Sequence, residues 1–173
     1  MSYEISTENA PAAIGPYVQG VDLGSMVITS GQIPVDPKTG EVPEDIAAQT
    51  RQSLANVAAI LEKAGLSAAN IVKTTVFVKD LNDFATVNAT YEEFFKQHNA
   101  PFPARSCVEV ARLPKDVKIE IEAIAVRKII YLSLENLLNK IGRFFYQCPN
   151  VFPTSTIKYF VHYLVISSPF RHI

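Results

Sequence analysis

The sequence predicts a two-layer α+β domain, in which two helices cover one face of a mixed β-sheet. Three observations support this fold class. The chain of 173 residues is long enough for one domain with a sizeable core. Two stretches repeat apolar residues every three or four positions, as amphipathic helices do, and other stretches are rich in β-branched residues. The predicted order is strand, strand, helix, strand, helix, strand, strand.

The predicted strands cover residues 17–21, 26–33, 71–78, 106–111 and 117–127. Pro34 ends the second strand, and Pro101 and Pro103 precede the fourth, because proline has no N–H to donate to a sheet. In the last two strands apolar positions alternate with polar or small ones, so the helices bury only one sheet face. We therefore expect the other face to pack against a second copy of the chain.

Two helices are predicted from their apolar periodicity. The first covers residues 45–64, and its buried face is formed by Ile46, Thr50, Leu54, Val57, Leu61 and Ala64. Gly65 follows where a left-handed residue commonly ends a helix. The second covers residues 84–98, after the helix-starting side chains of Asp80 and Asp83. Its apolar face predicts core packing, not an aromatic binding site, and consists of Phe84, Val87, Tyr91, Phe94 and Phe95.

Composition limits the classes of function and location. With 16 basic and 17 acidic residues, the chain lacks the positive charge with which nucleic-acid binders neutralise phosphates. The N-terminus has neither the basic nor the apolar region of a secretory signal, so a cytoplasmic protein is expected, with no membrane partner. Cys107 and Cys148 form no metal-ligand pair or disulfide framework and are interpreted as free thiols.

The composition changes after Lys128. Residues 1–128 hold 12 basic and 16 acidic residues, a net charge of −4, whereas residues 129–173 hold four basic residues and one acidic residue. We therefore divide the chain into a domain at residues 1–128 and an atypical C-terminal extension at residues 129–173. The sequence of the extension predicts a short amphipathic helix at residues 129–141. It also contains an apolar run at residues 157–166, which is too short to span a bilayer.

Candidate site residues concentrate in PARSCVEV at residues 103–110 and KIEIEAI at residues 118–124. Arg105 can bind a carboxylate through two parallel hydrogen bonds, which suggests a carboxylate-bearing substrate. The alternative is a structural ion pair of Arg105 with Glu109, Glu120 or Glu122. Cys107 is either a nucleophile or a residue of the site wall. The wall role is favoured, because the single histidine in residues 1–128 that could activate the thiol, His98, lies at the end of a predicted helix.

Three other segments contribute candidate groups, each with a structural alternative. Tyr17 is either a substrate-contacting or a core tyrosine. Ser30 and Gly31 lie in a segment where backbone N–H groups can approach an anion, although Gly31 also suits a β-bulge. Asn88 on the second helix is either a binding residue or a solvated one.

Together these segments resemble the RidA branch of the Rid, or YjgF, family of reactive intermediate deaminases. The matching motifs are NAPAAIGPY at residues 9–17, TSGQIP at 29–34, VFVKDL at 76–81 and PARSCVEV at 103–110. The resemblance covers residues 1–128 nearly continuously. Family members end near Lys128, so residues 129–173 depart from the family pattern.

The resemblance implies a chorismate-mutase-like α+β subunit, assembled as a homotrimer with sites between subunits. It further implies hydrolysis of 2-imino acids, such as 2-iminobutanoate and 2-iminopropanoate, to 2-oxo acids and ammonia without a cofactor or metal. Arg105 is expected to hold the substrate carboxylate, and Glu120 to deprotonate the attacking water. Substrate contacts are expected from Tyr17, Ser30, Gly31, Asn88 and Cys107.

Two other functions compete with this one. An endoribonuclease or translation inhibitor, an activity also associated with the family, would need phosphate-binding charge and commonly a pair of histidines. A non-enzymatic, chaperone-like protein would need exposed apolar surface and no defined pocket.

Overall fold

The computed structural model describes residues 3–127. Their elements in chain order are β1 (Tyr3–Ile5), β2 (Gly20–Asp22), β3 (Met26–Thr29), α1 (Ile46–Lys63), β4 (Ile71–Val78), α2 (Phe84–Gln97), β5 (Ala104–Glu109) and β6 (Ile119–Val126). Two helices and a mixed sheet confirm the predicted α+β class. The elements predicted at residues 129–141 and 157–166 lie outside the described residues. No helix within residues 3–127 is long and apolar enough to cross a membrane.

The six strands form one sheet in the order β1-β2-β3-β6-β4-β5. Only β4 and β5 pair in parallel, through the crossover that contains α2, and the other pairs are antiparallel. The short strand β1 was missed, because three residues are too few for a periodic signal.

The predicted strand at residues 17–21 begins later, at Gly20. Residues 17–19 do not pair in the sheet, and Gln19 forms hydrogen bonds with the N-terminal segment at residues 7–11. Gln19 accepts a hydrogen bond from the Thr7 amide at 2.7 Å and donates to the carbonyls of Ala10 and Pro11 at 3.1 and 2.8 Å. These bonds satisfy a buried side chain and hold Tyr17 outside the strand.

Both ends of α1 follow the predicted capping pattern. The side chain of Asp45 accepts a hydrogen bond from the Ala48 amide at 2.8 Å, which satisfies one of the free donors of the first turn. Gly65 follows the helix with a φ of +72°, the left-handed conformation that glycine adopts without steric cost.

The core lies between the helices and one face of the sheet. Fully buried side chains from both layers include Leu54, Ile60 and Leu61 of α1, Phe95 of α2, and Val76, Ile119 and Ile121 of the sheet. The other sheet face keeps apolar side chains at the surface, since Ile28 is 39% and Val108 is 43% exposed. Glu120 and Glu122 share that second face, because β6 buries every other residue against the helices.

Candidate functional site

Gly31 and Glu120 meet where strand β3 ends. The regular pairing of β3 with β6 ends at Ile28 and Ile124. The next residue pair between the two segments is an isolated antiparallel bridge between Gln32 and Ile121. Three residues of the first segment therefore oppose two of β6, as in a β-bulge. A Cβ atom on Gly31 would lie 1.9 Å from Glu120 Oε1, so only glycine leaves room for this carboxylate position. The bulge predicted as the structural alternative is thus what places Gly31 against Glu120.

A cleft of about 470 Å³ opens at this point, which we call the Glu120 cleft. It is lined by Ile14, Tyr17, Ser30, Gly31, Ile33, Pro114, Glu120 and Glu122. Four of the seven predicted site residues therefore lie together, namely Tyr17, Ser30, Gly31 and Glu120. Tyr17 is 48% exposed, so it is not the core tyrosine of the structural alternative.

Hydrogen bonds fix the wall of the Glu120 cleft. The Tyr17 hydroxyl accepts a bond from the Ile14 amide at 3.3 Å, and the Ser30 hydroxyl donates to the Val18 carbonyl at 2.5 Å. The Ser30 amide also donates to the Gln19 carbonyl at 2.9 Å. The Ser30 proton is therefore engaged, so toward a ligand its hydroxyl can act only as a hydrogen-bond acceptor.

Glu120 has the electrostatic setting of a proton acceptor. Burial raises the pKa of its carboxyl, and the negative charge of Glu122 raises it further. Within residues 3–127, no hydrogen bond or ion pair engages either carboxylate. The Glu120 carboxylate is therefore a stronger base than an exposed glutamate and is available to accept a proton.

Arg105 lies on β5, at the edge of the sheet, and faces α2. Its guanidinium carbon is 4.8 Å from the ring centroid of Tyr91 and 5.7 Å from that of Phe84. No carboxylate within residues 3–127 forms an ion pair with it. Glu109, one of the three candidates, instead accepts a hydrogen bond from the Leu81 amide at 2.9 Å. The structural ion pair is therefore absent from this part of the chain.

We group as the Arg105 cluster Arg105 and Cys107 of β5, the two rings that contact Arg105, which are Phe84 and Tyr91, and Asn88, which lies on the same face of α2 as those rings. Cys107 follows Arg105 on the same face of β5, and burial raises the pKa of its thiol while the Arg105 charge lowers it less. A raised pKa keeps the thiol protonated, which favours the predicted wall over a nucleophile. The side-chain oxygen of Asn88 is buried without a hydrogen-bond partner.

One chain does not bring Arg105 and Glu120 together. Arg105 pairs with Thr74 of β4, whereas Glu120 pairs with Phe77 of the same strand. Residues three apart on a strand point to opposite faces of the sheet. Arg105 therefore faces the helices, and Glu120 faces the uncovered side, so the seven predicted residues form two separate groups.

Comparison with known proteins identifies the family. The family model described as Endoribonuclease L-PSP matches residues 7–127. The chain belongs to this family. The L-PSP family is the Rid, or YjgF, family that the sequence motifs indicated, so that prediction is confirmed.

Several L-PSP relatives are closely similar to the chain. It is 83% identical to the 2-iminobutanoate/2-iminopropanoate deaminase of Escherichia coli over 128 residues, which are 74% of this chain and 100% of the relative. It is 68% identical to the putative reactive intermediate deaminase TdcF of Escherichia coli, over 71% of this chain and 95% of the relative.

Solved L-PSP structures share the fold. The crystal structure of the Escherichia coli YjgF gene product matches with a TM-score of 0.72 at 82% identity, covering 73% of this chain and 99% of that one. The structure of Escherichia coli TdcF with bound serine matches with a TM-score of 0.72 at 67% identity, with the same coverage.

Sequence reasoning missed part of the candidate site. Phe84 and Tyr91 were predicted to be core residues only, but Phe84 is 40% exposed and both rings contact Arg105. The spacing of Phe84, Asn88 and Tyr91, at i, i+4 and i+7, places all three on one helix face and could have indicated the cluster. Glu122 was considered only as an ion-pair partner, and it lies in the Glu120 cleft.

Substitution of Gly31 by alanine should reduce catalysis much more than stability. The new Cβ would overlap the Glu120 carboxylate, and that flexible side chain would move away from its position in the cleft. We expect an activity loss of about 10²-fold, comparable with loss of a general base, and a melting temperature close to that of the wild type. Steady-state kinetics and thermal denaturation measure both effects. Unchanged kinetics would show that the Glu120 position is unimportant.

Proposed function

We propose that the protein hydrolyses reactive 2-imino acids, such as 2-iminobutanoate and 2-iminopropanoate, to 2-oxo acids and ammonia. The observation that carries this proposal is the 83% identity to an Escherichia coli deaminase of that specificity, over its whole length. Among residues 3–127, Arg105 has no ion-pair partner and Glu120 has no hydrogen-bond partner and a raised pKa, and a cation and a base are the two groups this reaction needs. The substrate is a small molecule, and the protein works in the cytoplasm without a cofactor.

Arg105 binds the carboxylate of the substrate. Its guanidinium carries no competing carboxylate among the described residues, so its parallel N–H donors are available for a bidentate pair. This pair fixes the imine carbon, which is bonded directly to the carboxylate carbon, relative to the attacking water. The solved structure of TdcF contains bound serine, an amino acid whose α-carbon also carries a carboxylate.

Glu120 moves the protons of the reaction. It accepts a proton from water as the water oxygen bonds to the imine carbon, and the electron pair of the C=N bond moves to nitrogen. The nitrogen gains protons, the C–N bond breaks, and ammonia leaves as the hydroxyl proton is lost and the C=O bond forms. Water and imino acid thus give a 2-oxo acid and ammonia, and Glu120 returns to its starting charge.

A complete site requires a second copy of the chain. Arg105 and Glu120 lie on opposite faces of one sheet, so a substrate that contacts both must lie between two subunits. The exposed apolar side chains of Ile28 and Val108 lie on the Glu120 face and would be covered by a neighbour. A homotrimer closes this arrangement with three equivalent sites between neighbouring subunits.

Mixing two inactive variants should restore activity. If each site takes Arg105 from one subunit and Glu120 from its neighbour, random trimers of Arg105→Ala and Glu120→Gln chains contain intact residues in about one site in four. We therefore expect roughly a quarter of wild-type activity after co-refolding an equal mixture, against almost none for either variant alone. A mixture as inactive as its components would contradict a site shared between subunits.

The proposed activity is tested by coupling the full chain to a threonine dehydratase. The dehydratase releases the enamine and imine, and the rate of 2-oxobutanoate formation is then followed with and without this protein. We expect faster formation with the wild type, and no faster formation than spontaneous hydrolysis would overturn the deaminase proposal. Serum albumin at the same concentration controls for nonspecific protein effects.

The ribonuclease alternative has no comparable support in the described residues. His98, the one histidine of residues 3–127, lies at the end of α2 with its Nδ1 2.7 Å from the Phe94 carbonyl oxygen. It does not line the Glu120 cleft. With a net charge of −4 over residues 1–128, we expect no nucleic-acid partner.

A further inference from the structure

We propose that Phe84 and Tyr91 form an aromatic platform that positions the Arg105 guanidinium for binding a carboxylate. The inference rests on the proposed function, because it concerns the residue that holds the substrate. It assigns a role to two side chains whose helical spacing predicted core packing alone. Both are positioning residues that act through Arg105.

The geometry places both rings within reach of the guanidinium. The Arg105 carbon lies 4.8 Å from the Tyr91 centroid and 5.7 Å from the Phe84 centroid, inside the roughly 6 Å range of cation–π attraction. The negative electrostatic potential of an aromatic face attracts the guanidinium, and it does not occupy the N–H donors as a carboxylate would. The guanidinium is thus held while its hydrogen-bonding edge stays available.

Tyr91 is the fixed part of the platform. Its hydroxyl is 2.6 Å from the Thr74 hydroxyl in a buried hydrogen bond, and its ring centroid is 4.8 Å from that of Phe95. Thr74 is also the strand partner of Arg105, so one residue of β4 holds both the ring and the backbone that carries the guanidinium. This shared support limits the relative motion of Tyr91 and Arg105.

Phe84 is the open part of the platform. It is the first residue of α2 and is 40% exposed, whereas Tyr91 is 5% exposed. A half-exposed ring contributes less to folding than a core ring. Loss of the Phe84 ring should therefore affect the position of Arg105 more than the stability of the protein. Substitution at Phe84 tests the platform with little risk of unfolding the protein.

Substitution of Phe84 by leucine should weaken carboxylate binding and preserve the fold. We expect the Kd for 2-oxobutanoate, measured by calorimetry, to rise about two- to fivefold, the effect of losing an exposed cation–π contact. The KM for the imino acid should rise with the Kd, and kcat should change less. Tyr91→Leu should raise the Kd further, and Tyr91→Phe, which keeps the ring, should retain more affinity than Tyr91→Leu.

A matched control and a double substitution distinguish positioning from a structural effect. Phe102 is 60% exposed and contacts Phe95, and among residues 3–127 it forms no cation–π contact with Arg105, so Phe102→Leu should bind 2-oxobutanoate as the wild type does. In an Arg105→Ala background, Phe84→Leu should cause no further loss, because the group it positions is gone. Equal Kd values for Phe84→Leu and the wild type, or equal losses in both backgrounds, would overturn the platform.

The failure of this inference is distinguishable from failure of the proposed function. A wild type that binds 2-oxobutanoate without accelerating imine hydrolysis would overturn the deaminase proposal, and the Kd comparison would still test the platform. A wild type that is active, with a Phe84→Leu variant of unchanged Kd and KM, would overturn the platform alone.

Discussion

Replacement of Glu120 by glutamine is expected to reduce the acceleration of imine hydrolysis by about 10²- to 10⁴-fold, the usual contribution of a general acid or base. Glutamine keeps the size of the side chain but cannot accept a proton from the attacking water. Arg105 lies on the other sheet face and is untouched, so the Kd for 2-oxobutanoate should change much less than kcat. A variant with wild-type kcat would exclude Glu120 as the proton acceptor.

The pH dependence gives a second test of Glu120. Because burial and the Glu122 charge raise the pKa of its carboxyl, the carboxylate form that we propose as the proton acceptor is lost as pH falls through that raised value. As pH is lowered, we therefore expect the wild-type activity to decline before the pH reaches the range in which an ordinary glutamate titrates. Glu122→Gln should move this decline to lower pH, and Glu44→Gln, which removes an exposed carboxylate outside the Glu120 cleft, should leave it in place.

The stability effect of Glu120→Gln has the opposite sign from its effect on activity. A carboxyl whose pKa is raised on folding binds its proton more tightly in the folded state, so it destabilises the fold above that pKa. Glutamine removes this cost. The variant should therefore be at least as stable as the wild type at neutral pH, and denaturant titration would measure the difference.

Replacement of Arg105 by alanine is the second prediction with a large effect. A hydrogen-bonded pair with a charged group contributes roughly 1.5–3 kcal/mol, so the Kd for 2-oxobutanoate should rise by about 10- to 150-fold. Loss of orientation should lower kcat as well. Arg105→Lys should not restore activity, because an ammonium cannot make the two parallel bonds of a guanidinium.

Arg51→Ala is the matched control for loss of a positive charge. Arg51 is on α1, and its closest carboxylate oxygen, on Glu93, is 4.0 Å away with both side chains more than half exposed. Such an exposed pair contributes little to stability. Wild-type kinetics of Arg51→Ala beside a large defect of Arg105→Ala would locate the effect at residue 105, and full activity of Arg105→Ala would contradict carboxylate binding by Arg105.

The regular elements could be predicted well because their signals are local. Asp45 and Gly65 mark the ends of α1, and the apolar periodicity of α2 gave its extent to within one residue. The strand at residues 26–33 was wrong beyond Thr29, because the bulge at Ser30 and Gly31 depends on pairing with β6, which lies about 90 residues later in the chain. Local propensity carries no information on such pairing.

The candidate residues could be named from the sequence, but their grouping could not. Alternation along a strand shows that Arg105 and Cys107 share one face and that Glu120 and Glu122 share one face. It does not show whether the two pairs share the same face. The aromatic contact of Arg105 was also out of reach, since a helical face rich in Phe and Tyr predicts core whether or not a cation lies against it.

The sequence by itself determined the α+β class, the helix ends and the identity of the polar residues, because each follows from short-range periodicity and side-chain chemistry. Only the tertiary structure decided that Arg105 lies beside Thr74 and Glu120 beside Phe77, and therefore on opposite sides of the sheet. The physical reason is that strand register is set by hydrogen bonds and packing between segments far apart in the chain, and a shift of one residue would reverse every face.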